Sequence, residues 1–276
     1  MAESQIEWTE ATWNPLRGCS RISRGCGLPG AKFGCYAETI AARFSRPGLP
    51  FHGFARMTKA GPRWTGKIAL IPEKLDEPIR WREPRRIFVN SMSDLFHERV
   101  KLEMVQAVFD VIWKAERHTY QILTKRAQRM MELMRQVRFP SGALWMGHPE
   151  PNVWLGVSVE DQAAAELRVP YLLDTPTAVR FLSVEPLYER VRLSKWLAKG
   201  PEGPGRAPGI NWVIVGCQSG HSAAPMDLDW ARDIRDQCQE AGVAFFLKQA
   251  VVNGRVESLP MLDGRRWAEY PAVVAA

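Results

Sequence analysis

Six short, β-branched apolar runs alternate along the chain with amphipathic stretches, and this alternation constrains the fold more than any other feature. The runs lie at 86–90, 119–124, 153–158, 178–183, 212–216 and 243–247, and the helical stretches at 102–116, 127–136, 162–173, 193–199 and 228–241. Each helical stretch can cross back over a sheet, so the pattern predicts right-handed βαβ crossovers and parallel strands. A further unit at the N-terminus, with a strand within 6–14 and a helix over 36–44, brings the total to about seven. The expectation is an α/β fold: a parallel (β/α) barrel, full or partial, forming a single domain over 1–276 with an inserted basic loop or lid. A doubly wound open sheet is the alternative.

A chain of 276 residues can bury a sizeable core without covalent staples. Its 46% hydrophobic and 24% charged residues exclude intrinsic disorder, and five cysteines exclude a disulfide scaffold. The N-terminus has no basic region followed by an apolar run, and no stretch reaches the ~18 apolar residues of a membrane span. These features predict a cytoplasmic protein with reduced thiols and no membrane partner. The net charge of +7 suits a polyanionic partner only mildly.

Nearly every expected strand runs into polar residues: Asn90-Ser91-Met92-Ser93-Asp94, Thr124-Lys125-Arg126, Ser158-Val159-Glu160, Ser183-Val184-Glu185 and Lys248-Gln249. In parallel α/β folds the carboxyl ends of strands face the site, so these groups would converge on one mouth. Helix capping accounts for Ser and Asp there, but poorly for Glu160, Glu185, Lys125 and Lys248. Glu160, Glu185 and Lys125 are therefore the candidate catalytic groups, with Lys125 and Lys248 able to grip a phosphate or carboxylate.

Three of the five cysteines, Cys19, Cys26 and Cys35, fall in one loop over 15–36, between the first strand and the first helix. Preceding glycines let the backbone turn sharply there. Three thiolates suit an iron–sulfur cluster with one iron lacking a protein ligand, or a zinc site completed by water or a histidine such as His52. Arg17, Arg21 and Arg24 would lower the thiol pKa values. Cys217 could donate hydrogen to a radical but reads more readily as core, as does Cys238. His97, His118, His148 and His221 have no metal spacing and gain no role beyond surface or support.

The region 45–86 reads as a basic, aromatic lid. Trp13, Trp64 and Trp81, near Arg63, Arg82, Arg85 and Arg86, are the tryptophans best placed to stack bases beside a phosphate backbone. Trp113, Trp154, Trp196, Trp212 and Trp230 read as core. The Gly/Pro-rich stretch 199–210 reads as a surface loop.

Trp13-Asn14-Pro15, Gly18-Cys19, Ser23-Arg24-Gly25-Cys26 and Cys35-Tyr36-Ala37-Glu38 resemble a phage-associated protein family with a three-Cys motif, related to the radical S-adenosylmethionine enzymes. The resemblance continues through 90–96, 123–126, 155–160, 182–187, 212–216, 246–249 and 262–265, and so covers nearly the whole chain. It implies a radical-enzyme-like barrel with a [4Fe–4S] cluster on Cys19, Cys26 and Cys35, and S-adenosylmethionine cleaved by one-electron reduction to a radical that takes hydrogen from the substrate. On that reading Ser91, Ser93, Asp94 and Ser158 contact the cofactor, a reductase supplies electrons, and the substrate is a nucleobase, nucleotide or nucleic acid.

Two departures stand out. Eight residues separate Cys26 from Cys35 where the family has two, so a Gly/Pro-rich loop would bulge away and leave the sulfurs in place. Cys217-Gln218 replaces a Gly-Glu, so a strand-end carboxylate is missing. An iron–sulfur or zinc protein that binds nucleic acid without radical chemistry, and a barrel hydrolase with structural zinc, are the other functional classes.

Overall fold

The computed structural model describes residues 4–27, 34–197, 209–219 and 226–272. The chain divides into two compact units: Met1–Gln5 with Thr9–His148, and Ile6–Trp8 with Pro149–Ala276. Among the described residues no helix is long and apolar enough to cross a membrane.

The first unit contains, in chain order, β1 (Ala11–Trp13), β2 (Leu16–Arg17), α1 (Tyr36–Arg43), β3 (Ala55–Thr58), β4 (Gly61–Trp64), β5 (Ala69–Leu70), α2 (Pro72–Leu75), α3 (Glu77–Arg80), β6 (Arg86–Val89), α4 (Leu102–Lys114), β7 (Thr119–Thr124) and α5 (Ala127–Met134). Strand β6 is central, pairing in parallel with β1 (Trp13 opposite Val89) and with β7 (Val89 opposite Ile122). Ile87, Phe88 and Val89 are all buried, the continuous apolar run of a parallel strand covered on both faces. Helix α4 packs through Val105, Val108, Phe109 and Ile112, whose three- and four-residue spacing makes one apolar stripe. Each such side chain contributes about 1.5–3 kcal/mol on burial.

The segment expected as a basic lid, 45–86, carries its own secondary structure. The segment is not loop-like: it holds the β3–β4 hairpin, β5 paired with β2, and the short helices α2 and α3, before ending in β6. Trp13 is fully buried, edge-on to Tyr120, with its indole N–H donating to the Lys74 carbonyl at 2.8 Å. It is core and cannot stack on a base.

The second unit contains β8 (Val153–Ser158), α6 (Gln162–Leu173), β9 (Val179–Val184), β10 (Trp212–Gly216), α7 (Leu228–Ala241), β11 (Ala244–Val252), β12 (Arg255–Ser258), β13 (Met261–Leu262) and β14 (Arg265–Arg266). Strands β8, β9, β10 and β11 pair in parallel in that order, and β12 returns antiparallel on β11. Gly156 in β8 is required by close approach, since a Cβ there would lie 2.6 Å from the Phe181 ring. Asp161 caps α6 by accepting from the Ala164 N–H, and Asp227 caps α7.

Trp212 sits at the centre of an aromatic cluster with Trp8, Trp154, Phe181, Phe246 and Tyr270. The helix expected over 193–199 is absent from its described part. The N–H groups of Leu193 and Ser194 both donate to the Gln237 side chain, and Leu197 forms a bridge with Ile210. A seven-residue segment gains too little from helical bonds to resist such partners. Most of the 199–210 loop lies outside the described residues.

The α/β class and the parallel pairing of both strand sets thus agree with the alternation read from the sequence.

Candidate functional site

The cysteine loop is held in place from two sides. Gly18 adopts φ 94, and a Cβ there would lie 1.9 Å from the Lys67 carbonyl oxygen, so only glycine fits. It bridges Ser93, whose hydroxyl donates to the Leu16 carbonyl at 3.0 Å, which sets Cys19 beside the end of β6. Cys26 ends a short 3-10 turn, and the Cys35 N–H donates to the Cys26 carbonyl at 3.2 Å. A Cβ on Gly34 would lie 2.7 Å from the Gly27 Cα, so the chain leaves at Gly27 and returns at Gly34 in contact. The extra residues between the second and third cysteines therefore do not separate the backbones of Cys26 and Cys35.

Arg126, the first residue after Lys125 at the end of β7, organises the surroundings of Cys19. Its Nη1 meets Asp94 Oδ2 at 2.9 Å and lies 4.0 Å from Cys19 Sγ, its Nε meets Glu98 Oε1 at 2.8 Å, and its Nη2 meets Ser20 Oγ at 2.9 Å. Burial opposes this charge, but Asp94 and Glu98 outweigh burial and keep Arg126 cationic. Asp94 also accepts from the Thr124 hydroxyl at 2.7 Å and the Phe96 N–H at 3.0 Å. His97 Nδ1 accepts from the Arg99 N–H at 3.1 Å, so Nε2 carries the proton and donates to Ser20 Oγ at 2.8 Å. Burial first, and Arg126 second, hold His97 below its ordinary range and therefore neutral.

The thiols sense one another. Burial pushes Cys19 well above the usual thiol range, Asp94 adds to this, Arg126 opposes it, and Cys35 and Cys26 raise it further. Burial likewise raises Cys35 and Cys26 adds to it, while the Glu38 and Ala37 N–H groups at the start of α1 and the Lys125 ammonium pull it down. Of the cations expected to do this from sequence, Arg21 pairs with the buried Glu38, and Arg17 turns one nitrogen to the Pro50 carbonyl.

The donor set is thus three mutually coupled sulfurs beside Arg126, Lys125 and a helix N-terminus, which suits an anionic group. Among the described residues no three His, Cys, Asp or Glu side chains are gathered as one metal ion requires, and His52 is exposed in a turn.

Of the expected cofactor contacts, Ser93 and Asp94 thus flank Cys19. Ser91 bonds Asn14 Oδ1 through its hydroxyl and receives the Tyr36 hydroxyl on its carbonyl. Sequence reasoning missed His97 and Ser20, and it set Lys125 above Arg126. The one available signal was that Arg126 is the second residue past the end of β7.

The second unit has its own strand-end cluster. Glu185 Oε1 accepts from Lys248 Nζ at 2.6 Å, Gln249 Nε2 at 3.1 Å and Ser219 Oγ at 3.2 Å. The Glu185 carboxyl group also lies 3.4 Å from where a Cβ on Gly216 would be, so a carboxylate does stand at that strand end, supplied from β9. Buried Cys217 adjoins it, its thiol pushed up to about 11 by burial and then by Glu185. Glu160, by contrast, is buried in a two-bond pair with Arg168 (2.7 and 3.2 Å), and Arg168 also donates to the Ser158 carbonyl. Of the arginines expected to bind nucleic acid, Arg82 is exposed, Arg85 half-buried, Arg86 paired with Glu10, and Arg63 donates to the Pro62 carbonyl.

In each parallel α/β unit the strand ends gather polar side chains, Asp94 with Arg126 in the first and Glu185 with Lys248 in the second. The chain belongs to the family described as Protein of unknown function (DUF5131), whose pattern matches residues 3–271. Comparison with curated proteins found no match, and comparison with solved structures found none.

Proposed function

We propose that this protein is an iron–sulfur enzyme of the radical S-adenosylmethionine type, built on a partial (β/α) barrel and modifying a nucleobase, nucleotide or nucleic acid. The observation that supports the reading is the placement of the cysteine loop: Arg126 Nη1 lies 4.0 Å from Cys19 Sγ, and the Cys35 N–H donates to the Cys26 carbonyl at 3.2 Å.

When bound, a [4Fe–4S] cluster supplies a one-electron reductant and an iron open to the amino and carboxylate groups of S-adenosylmethionine. The three thiolates would hold it, and Arg126 and Lys125 would offset its negative charge. Asp94, Glu98 and Ser20 fix the Arg126 guanidinium, so this compensation needs no rearrangement on binding. Ser91, Ser93 and Asp94 offer polar groups for the cofactor. Lys248 and Gln249 hold Glu185 in one orientation, from which it can accept a hydrogen bond or a proton from a substrate. A reductase supplies the electrons.

The test is anaerobic incubation of the reconstituted protein with dithionite and S-adenosylmethionine. Release of 5′-deoxyadenosine that disappears in Cys19→Ala supports the reading. A cluster that forms without releasing it favours a nucleic-acid-binding iron–sulfur protein.

A further inference from the structure

A cleft of about 370 Å³ opens in the first unit, lined by Thr12, Asn14, Arg17, Phe51, Lys74, Glu77, Trp81 and Met92. It adjoins the cysteine loop through Arg17, two residues before Cys19, and also takes in Met92, next to Ser93. Nothing in the cluster chemistry above uses it.

Its polar groups are oriented. Asn14 Oδ1 accepts from the Met92 N–H at 2.9 Å and the Ser91 hydroxyl at 3.2 Å, so the Asn14 amide can offer only its NH2 to a ligand. Arg17 is anchored through one nitrogen on the Pro50 carbonyl, with its guanidinium carbon 5.6 Å from the Phe51 ring centre, leaving further N–H groups for an anion. Lys74 meets Glu77 Oε1 at 2.6 Å, so this lysine is neutralised locally and Oε2 can accept from an amine. Trp81, edge-on to His118 at 6.0 Å with its carbonyl held by Arg117, is half-buried.

A ligand matching these groups carries a flat ring for Trp81 and Phe51, an amine or ring N–H for Glu77, an acceptor for Asn14 and an anionic group for Arg17. We infer that this cleft takes one nucleobase–phosphate unit, either a free mononucleotide or one residue of a single strand. It rests on the proposal that the substrate is a nucleobase or nucleic acid. The volume lies at the small end of ligand pockets and excludes a base-paired duplex.

The test is binding by the full chain, with and without reconstituted iron. The probes are a fluorescein-labelled mixed-sequence single-stranded octanucleotide, read by anisotropy, and dAMP and dCMP, read by calorimetry. Trp81→Ala should weaken binding at least about fivefold, as loss of one stacked base does. Trp81→Phe should retain most of the affinity, and Arg17→Gln should flatten the salt dependence of octanucleotide binding by about 0.7 in log–log slope. Binding of the octanucleotide alone assigns the cleft to a strand, and binding of the mononucleotides assigns it to a free nucleotide. The inference is overturned if no probe binds, if Trp81→Ala and Arg17→Gln both bind like the parent, or if Trp81→Phe loses as much as Trp81→Ala. A chain that holds no iron yet shows these losses refutes the radical reading and leaves the cleft. A chain that cleaves S-adenosylmethionine but binds no probe refutes the cleft alone.

Discussion

Replacing Arg168 with Met tests whether Glu160, expected from sequence to be catalytic, is instead half of a structural ion pair. The side chains are 1% and 5% exposed, for Glu160 and Arg168 respectively. Methionine keeps much of the arginine's length but removes the counter-charge and the donor to the Ser158 carbonyl, leaving the carboxylate buried. Breaking a buried pair from one side costs about 3–5 kcal/mol, against about 5–15 kcal/mol for a whole domain. At a urea slope of about 2 kcal/mol per M, the midpoint of the second unit should fall by about 2 M, followed by circular dichroism. Glu160→Leu combined with Arg168→Met removes both charges and should recover most of the loss, because two apolar groups leave no ion to solvate. A fall below about 0.3 M in the single variant, or no recovery in the double, would refute this reasoning.

Three further outcomes follow from particular contacts. Trp212→Phe loses the indole bond to the Glu269 carbonyl at 2.8 Å and part of the packing around it, and should cost about 1–3 kcal/mol in the same titration; an unchanged midpoint contradicts this. Because the Cys217 thiol is raised in the fold to about 11 from its ordinary 9.0, the stability it adds is fully present below pH 9.0 and is lost as pH rises towards 11. Stability measured across that interval should therefore fall more steeply in the parent than in Cys217→Ala, and parallel curves would contradict the assignment. Arg126→Met should fold yet retain iron several-fold less well after gel filtration, since it removes the cation 4.0 Å from Cys19 Sγ; equal retention would show that this charge does not matter.

Elements governed by local periodicity were legible. The expected helices 162–173 and 228–241 coincide with α6 and α7, where a capping Asp stands immediately before each apolar stripe. What was not legible depended on distant partners. Trp13 stands among arginines in sequence, but its burial is decided by Tyr120 and the Lys74 carbonyl, far along the chain. Arg21 looked like a cysteine neighbour until Glu38 claimed it, and Arg126 reaches Cys19 from 107 residues away. His97 has no spacing signal because its partner, Ser20, lies 77 residues upstream. The helix expected over 193–199 failed for the same reason, since Gln237 takes its first N–H groups. Sequence thus revealed the cysteines, and folding supplied the cation beside them.

Iron and acid-labile sulfide per chain, measured after anaerobic reconstitution and desalting, test the central claim most directly. The parent and Cys238→Ala should each hold about four of both, the content of one cubane cluster, while Cys19→Ala, Cys26→Ala and Cys35→Ala should each lose nearly all of it. Less than about one iron in the parent, or full retention in the three loop variants, would contradict a cluster on these cysteines.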